Sequence, residues 1–148
     1  MSVHKLDHRL FEVMKAEHEE LGALLREVRG QITSPDRTKR EMAKSVAQLA
    51  DLCGMHFNRE EEGGYLREAL LASPWLAEQV RTLREEHEAL LEAIESLRVL
   101  TQSGVESPAW WTRVRDDFEQ FAVGLGQHEA KENLLVQQAF CDDLGQGD

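Results

Sequence analysis

Two five-residue segments of the chain share one pattern, HFNRE at residues 56–60 and HEAKE at residues 128–132. In each segment a glutamate follows a histidine by four residues, and on a helix this spacing puts both side chains on one face, one turn apart. Each face is otherwise apolar, with Cys53 before the first histidine and Leu125 before the second. A carboxylate on an apolar face is costly to bury without a partner. The pattern therefore predicts that both glutamates meet a partner inside the fold.

Three Ser-Pro pairs, at residues 34–35, 73–74 and 107–108, divide the chain. Serine is a favoured N-cap and proline suits the first helical position, so each pair predicts the start of a helix. Gly63-Gly64 predicts a break in the second helix, with Tyr65–Leu71 as a short extra helical piece. The abundance of Leu, Ala, Glu and Arg also favours helix. We therefore predict four helices, near residues 5–31, 35–62, 74–102 and 108–141.

Each predicted helix has an apolar face at alternating steps of three and four residues, which is typical of amphipathic helices. The faces run through Phe11, Met14, Leu21, Leu25 and Val28; Met42, Val46, Leu49 and Cys53; Leu76, Val80, Leu83, Leu90, Ile94 and Leu97; and Val114, Phe118, Phe121, Leu125, Leu135 and Ala139. Six polar residues interrupt these faces: His18, His56, Glu60, His87, His128 and Glu132. Short connections between such helices predict an all-α fold, an up-down-up-down four-helix bundle.

The positions of the six polar residues agree with the predicted turns. In an antiparallel helix pair, residues equidistant from the turn lie at the same height. His18 and His56 are centred on residue 37, close to the first Ser-Pro pair. Glu60 and His87 are centred on the second pair, and His87 and His128 on the third. All three turns therefore predict that the polar residues share one layer of the bundle.

The composition excludes several classes of partner. The 148 residues suit one domain, spanning residues 1–148, and a net charge of −11 argues against binding nucleic acid or an anionic membrane. No apolar run approaches the roughly 20 residues of a membrane span, and the first residues lack the apolar stretch of a secretory signal. Cys53 and Cys141 form no CxxC pair and are too few for a disulfide framework. We therefore expect a protein of the reducing cytoplasm.

Imidazole and carboxylate donors without thiolate suit iron, manganese or zinc. Two central carboxylates can bridge two ions, and four protein donors per ion then leave room for a solvent-derived bridge and an exogenous ligand. The assignment gives His18 and His56 to one ion, His87 and His128 to the other, and Glu60 and Glu132 to both. A buried polar network without metal is the alternative, and it requires a protein partner for every group.

Residues 56–61, 84–87 and 128–133 resemble the ligand-bearing segments of the hemerythrin-like (HHE cation-binding) domain family, and the likeness covers nearly the whole chain. The resemblance implies a hemerythrin-like bundle holding two iron ions with an oxo or hydroxo bridge, a site in which zinc or manganese can substitute. Oxygen carriers of the family have histidine where this chain has Leu91 and aspartate where it has Asn133. The site is instead similar to the four-histidine, two-glutamate form of bacterial iron-centre repair proteins and of the iron-sensing domain of a eukaryotic ubiquitin ligase.

These features predict a non-haem di-iron protein that binds, senses or reduces dioxygen, nitric oxide or peroxide, rather than a simple oxygen carrier. The alternative is an iron-responsive regulatory module, or an iron storage and delivery module, without catalytic turnover. A redox protein or an iron-acceptor protein is an expected partner, although the sequence does not identify it. The sequence has no nucleotide loop and no Ser/His/Asp arrangement, so we favour binding or sensing and leave catalysis open.

Residues near the six have two interpretations each. We expect Cys53 to pack in the core rather than to act in redox chemistry. We expect Tyr65 to pack on the third predicted helix rather than to approach the site. Most of the glutamates next to a histidine of the six are expected to face water, although one can orient an imidazole; they are Glu17, Glu86 and Glu129. Glu61, next to Glu60, either supports a ligand or lies on a solvated face. We also expect His4 and His8 at the surface, an inert Cys141, and one of Trp110 and Trp111 at the end of the bundle.

Overall fold

A computed structural model of the protein describes residues 8–62 and 64–141, and every element in these ranges is helical. The elements are α1 His8–Thr33, α2 Lys39–Glu61, α3 Tyr65–Ala72, a 3₁₀ turn Pro74–Leu76, α4 Ala77–Gln102, α5 Pro108–Val136 and a closing π turn Gln137–Cys141. The four long helices pack antiparallel, with α1 against α2 and α5, and α4 against α2 and α5. The predicted all-α bundle is confirmed.

The predicted apolar faces point into the bundle with one exception. Phe11, expected on the buried face of α1, is 38 % exposed, because it lies on the first turns of the described chain. Leu25 on the same face is half-buried. The faces of the three other long helices are buried at every predicted position.

The helix starts correct the sequence-based boundaries. At Ser107-Pro108 the prediction is right, since the Ser107 hydroxyl accepts a hydrogen bond from the backbone N–H of Trp110 at 3.1 Å. At the first Ser-Pro pair it is wrong: α2 begins at Lys39, and its N-cap is Thr38, whose hydroxyl accepts from the N–H of Glu41 at 3.1 Å. Ser34 instead accepts from the backbone of Asp36 inside the turn. The threonine cap therefore outweighs the serine-proline signal here.

The second Ser-Pro pair opens a 3₁₀ turn rather than an α-helix, and α4 follows at Ala77. Ser73 does not cap this turn; its hydroxyl donates to the carbonyl of Ala139, 3.5 Å away. The predicted break after α2 is confirmed, with α3 one residue longer than expected. A Cβ at Gly64 would lie 2.3 Å from the carbonyl oxygen of Arg59, so only glycine lets the chain pass this close to α2.

Two apolar clusters fill the interior of the bundle. The large core lies towards the end closed by Trp110 and Trp111, whose rings meet edge to face with centroids 4.8 Å apart. The small core lies under α3 and includes Met14 and Tyr65. The expectation of a tryptophan at the bundle end holds for both tryptophans. No helix in the described part of the chain is long and apolar enough to cross a membrane.

Candidate metal centre

The six polar residues meet in one layer between the two apolar cores. His18 comes from α1 and His87 from α4, while α2 and α5 each supply a histidine and a glutamate. Their donor atoms form two overlapping groups, within each of which the atoms lie within 4.8 Å of one another. The groups are His18, His56, Glu60 and Glu132, and Glu60, His87, His128 and Glu132. The structure thus brings together all six of these residues, in the same two groups as the assignment made from the sequence.

Glu60 presents one oxygen to each histidine pair. Its Oε2 lies 2.7 Å from Nε2 of His56 and 3.8 Å from Nε2 of His18. Its Oε1 lies 3.0 Å from Nε2 of His87. A carboxylate whose two oxygens face different pairs of histidines is suited to bridge two cations.

Glu132 repeats this arrangement from the opposite helix. Its Oε1 lies 3.2 Å from Nε2 of His18. Its Oε2 lies 2.9 Å from Nε2 of His128 and 3.5 Å from Nε2 of His87. All four imidazoles therefore turn Nε2 towards the two central carboxylates, and each carboxylate lies between the pairs.

Three of the imidazoles are oriented from behind by a glutamate of a neighbouring helix. Nδ1 of His56 lies 2.8 Å from Glu17 of α1, and Nδ1 of His87 lies 2.5 Å from Glu61 of α2. Nδ1 of His128 lies 2.8 Å from Glu86 of α4. Each of these three histidines thus contacts a glutamate of a neighbouring helix through Nδ1. An Nδ1–H that donates to a carboxylate leaves the Nε2 lone pair free for a cation.

The expectation that most of the glutamates next to a histidine face water is therefore wrong for Glu17 and Glu86. Of the two interpretations of Glu61, the structure supports the one in which it supports a ligand, His87. Glu17 is buried and also binds the guanidinium of Arg59, and Glu86 is half-buried and also binds the ammonium of Lys131. The sequence gives no periodic signal for these contacts, because each one joins a glutamate to a histidine of a different helix.

The donor atoms are buried without adequate protein partners. Among the described residues, Nε2 of His18, His56 and His87 has no hydrogen-bond partner, nor does Oε1 of Glu60 and Glu132. When the imidazole proton is on Nδ1, both Nε2 and a carboxylate oxygen are acceptors, so they repel each other at 3 Å. An unpaired buried polar group costs about 1–3 kcal/mol. Cations at the centre remove this conflict, and the donor set fits iron, manganese or zinc.

Protons balance part of the charge when no metal is bound. Burial lowers the pKa of His18, but the nearby carboxylates of Glu132 and Glu60 outweigh it and raise the pKa to about 10. Burial likewise lowers the pKa of His87, and the carboxylates of Glu132, Glu60 and Glu61 outweigh it and raise the pKa to about 10. Since imidazole binds a metal only when neutral, metal binding must release these protons.

Tyr65 joins the centre to α3. Its hydroxyl donates to Oε2 of Glu60 at 2.8 Å, and its side chain is buried in the small core. Burial raises the pKa of this phenol well above its usual value, so it stays a donor. The expectation that Tyr65 packs rather than approaches the site is thus corrected, because Tyr65 both packs in the small core and contacts Glu60.

Cys53 lies on the core side of the centre as a free, buried thiol. Burial, assisted by the charge of Glu129, raises its pKa to about 12. A protonated thiol packed in the large core supports the structural interpretation of this residue. His4 and the side chains of His8 and Cys141 lie outside the described residues, so the expectations for them stay untested.

A cavity of about 330 Å³ reaches the layer at His18, whose side chain is 15 % exposed. Lys15 and Asn133 are among its walls. Leu91, by contrast, packs on the large core and lines a separate groove along α4 that contains none of the six residues. On the inner side, Phe57 stacks on the ring of His87 with centroids 4.2 Å apart. The centre is thus approached from the α1 side and shielded by apolar side chains opposite.

Comparison with known proteins agrees with this geometry. The sequence pattern of the Hemerythrin HHE cation binding domain matches residues 9–140. Searches of curated proteins and of solved structures gave no significant match. The matched range covers the four long helices, except the first residue of α1, and the buried His/Glu cluster between them. The chain belongs to the hemerythrin HHE cation-binding domain family.

Proposed function

We propose that this protein holds two iron ions and uses them to bind, sense or reduce a small oxidant: dioxygen, nitric oxide or peroxide. In this proposal one ion is held by His18 and His56, the other by His87 and His128, and both by Glu60 and Glu132. One observation carries the proposal. In both Glu60 and Glu132, one carboxylate oxygen faces the His18/His56 pair and the other faces the His87/His128 pair.

A bridged pair of iron ions supplies two adjacent one-electron redox centres with positions open to a small ligand. The chain supplies four donors to each ion, fewer than the six positions of octahedral iron. Glu17, Glu61 and Glu86 hold three of the imidazoles in place through Nδ1. Phe57 and the large core exclude water from the inner side of the layer.

The cavity beside His18 favours a small ligand over a large substrate. Its volume is about 330 Å³, and only one of the six residues, His18, lines it. A diatomic molecule or a peroxide fits such a route, whereas a bulky organic substrate meets the packed side chains of α1 and α5.

The acidic net charge of the chain and the free, buried thiol of Cys53 support the proposal that the protein is cytoplasmic.

Absorption spectra of the iron-loaded protein test the proposal directly. The protein is loaded with ferrous iron without oxygen and then exposed separately to dioxygen, nitric oxide and hydrogen peroxide. We expect new absorption bands with at least one of the three. A Glu132→Ala variant treated in the same way controls for iron bound elsewhere. Unchanged spectra with all three ligands would rule the oxidant-binding function out.

An iron-responsive regulatory or iron-delivery role is the second candidate. The unpartnered atoms of His18, His56, His87, Glu60 and Glu132 favour it, since they join all four long helices in one layer. Loss of iron then loosens the packing of the bundle and changes the surface that a partner meets. Hydrogen exchange along the backbone, with and without iron, tests this role. Equal protection in both states would exclude a metal-dependent change of conformation.

A further inference from the structure

His18 differs from the three other histidines of the layer in how its ring is held. Each of the other three has a glutamate behind it, in contact with Nδ1. The ion pairs that His18 makes among the described residues are all made through Nε2 instead. A carboxylate at Nδ1 fixes the orientation of a ligand imidazole. His18 is therefore held in place less firmly than the other three.

The packing around the rings shows the same difference. Phe57 contacts the imidazoles of the other three histidines, with ring centroids 4.2 to 5.6 Å apart. Among the described residues, the one ring that contacts His18 is that of His56. The side chain of His18 is 15 % exposed, whereas the other three are 0 to 1 % exposed. His18 is thus the most accessible imidazole of the layer.

The cavity of about 330 Å³ beside the centre opens at this same residue. Gly22, which follows His18 by four residues on α1, is another of its walls, and this spacing puts both on one face of the helix. A Cβ at Gly22 would lie 3.5 Å from Nη1 of Arg26, which is an ordinary contact. A larger side chain at Gly22 would therefore fit the helix and narrow the passage to His18.

A weaker hold and an open passage coincide at His18, and both favour exchange of the ion that it binds. Absence of the partner that orients a ligand lowers metal affinity about 10–100-fold. We propose that His18 is the exchangeable ligand of the centre: it binds its ion after His87 and His128 bind theirs, and it releases that ion first, through the cavity that its side chain lines. The proposal rests on the di-iron function proposed above, and it makes one ion exchangeable and the other retained.

Stepwise loading with zinc, a diamagnetic ion that suits the donor set, tests the order of binding without any substitution. The metal-free protein is titrated with zinc, and the imidazole signals are followed by NMR. We expect the signals of His87 and His128 to reach their bound positions with the first equivalent, and the signal of His18 to follow with the second. Binding of His18 with the first equivalent would overturn the proposal, and so would a simultaneous change of all four imidazoles.

The rate of iron release tests the route. The iron-loaded protein is mixed, without oxygen, with an excess of a chelator that is coloured when it binds ferrous iron. We expect one iron per chain to leave in a fast phase and the other in a slow phase. Gly22→Leu, which keeps all six residues of the layer, should slow the fast phase about tenfold, the effect of a barrier that is about 1.4 kcal/mol higher.

Gly30→Leu is the matched control, because Gly30 is also on α1 but a Cβ there would meet no atom within 4 Å. It should release both irons at the rates of the wild type. Thermal melting of the metal-free proteins shows whether each variant folds. If Gly22→Leu does not fold, Gly22→Ala decides in its place, with a smaller slowing of the same phase.

An unchanged fast phase in the folded Gly22 variant would overturn the route, and so would equal slowing by Gly30→Leu. Release of both irons from the wild type in a single phase would show that the two ions are equally held, and would leave the di-iron function standing. If the wild type binds neither iron nor zinc, the di-iron function itself fails.

Discussion

The large apolar core and the polar layer next to it are built by the same four helices, at the same spacing of three and four residues. In the core, side chains such as Val46, Leu49 and Phe118 are fully buried against one another. In the layer, five donor atoms are buried without a hydrogen-bond partner among the described residues: Nε2 of His18, His56 and His87, and Oε1 of Glu60 and Glu132. The core is complete with protein atoms alone, whereas the layer forms the buried His/Glu metal-binding cluster. The comparison teaches that stability and function occupy separate sections of one bundle.

Among the changes considered, removal of a bridging carboxylate should have the largest effect on metal binding by the polar layer. We expect Glu60→Ala and Glu132→Ala to lose both metal ions, because each carboxylate faces both histidine pairs. His18→Ala should mainly weaken one ion, since His18 belongs to one group of donors. Metal analysis after anaerobic loading and desalting measures the difference. Two irons per chain in Glu60→Ala would refute the bridging assignment.

A cavity in the large core should cost stability without touching the metal. Leu49→Ala truncates a fully buried side chain on α2, two turns before His56. We expect the free energy of unfolding to fall by about 2–5 kcal/mol. The loss should be the same with and without iron, as measured by denaturant titration. A loss that depends on iron would show that the two regions are coupled.

Loss of an orienting carboxylate should have the opposite effect: it should weaken metal binding and leave the stability of the metal-free protein nearly unchanged. Glu86→Ala removes the acceptor behind His128, so the imidazole is no longer held in one orientation. We expect iron affinity to fall about 10–100-fold, with little change in the melting temperature of the metal-free protein. The adjacent exposed residue supplies the control, Glu85→Ala, which should keep the affinity of the wild type. Equal affinities for the two variants would argue that Glu86 plays no part in holding the centre.

The sequence was sufficient for the bundle and for the six residues of the layer, because burial on a helix repeats with a fixed period. Glu17, Glu61 and Glu86 could not be assigned in the same way. Whether such a side chain faces water or an imidazole depends on how far a neighbouring helix is rotated, which the spacing along one helix does not determine.

The start of α2 was missed for a local reason. Ser34-Pro35 and Thr38-x-x-Glu41 are both start signals, four residues apart, and the prediction chose the first. The second has a hydroxyl that accepts from the backbone N–H of Glu41, which satisfies a donor that the helix leaves unpaired.

The smallest expected effect concerns these caps. Ser107→Ala removes the acceptor of the Trp110 N–H and should cost about 1 kcal/mol of stability. Ser34→Ala, where no helix is capped, should cost about 0.5 kcal/mol or less. Thermal melting of the two variants measures the difference. Neither change should alter iron binding, since both residues lie at the end of the bundle away from α3. Equal destabilisation by both would contradict the assignment of the caps.

The need of the polar layer for metal is tested most directly by one paired measurement. The iron content of anaerobically loaded, desalted protein is determined, and its thermal melting is compared with that of the metal-free protein. We predict two irons per chain and a higher melting temperature with iron, because cations remove the conflict among the buried donors. A chain that retains no iron, and melts at the same temperature in both states, would contradict this view of the layer.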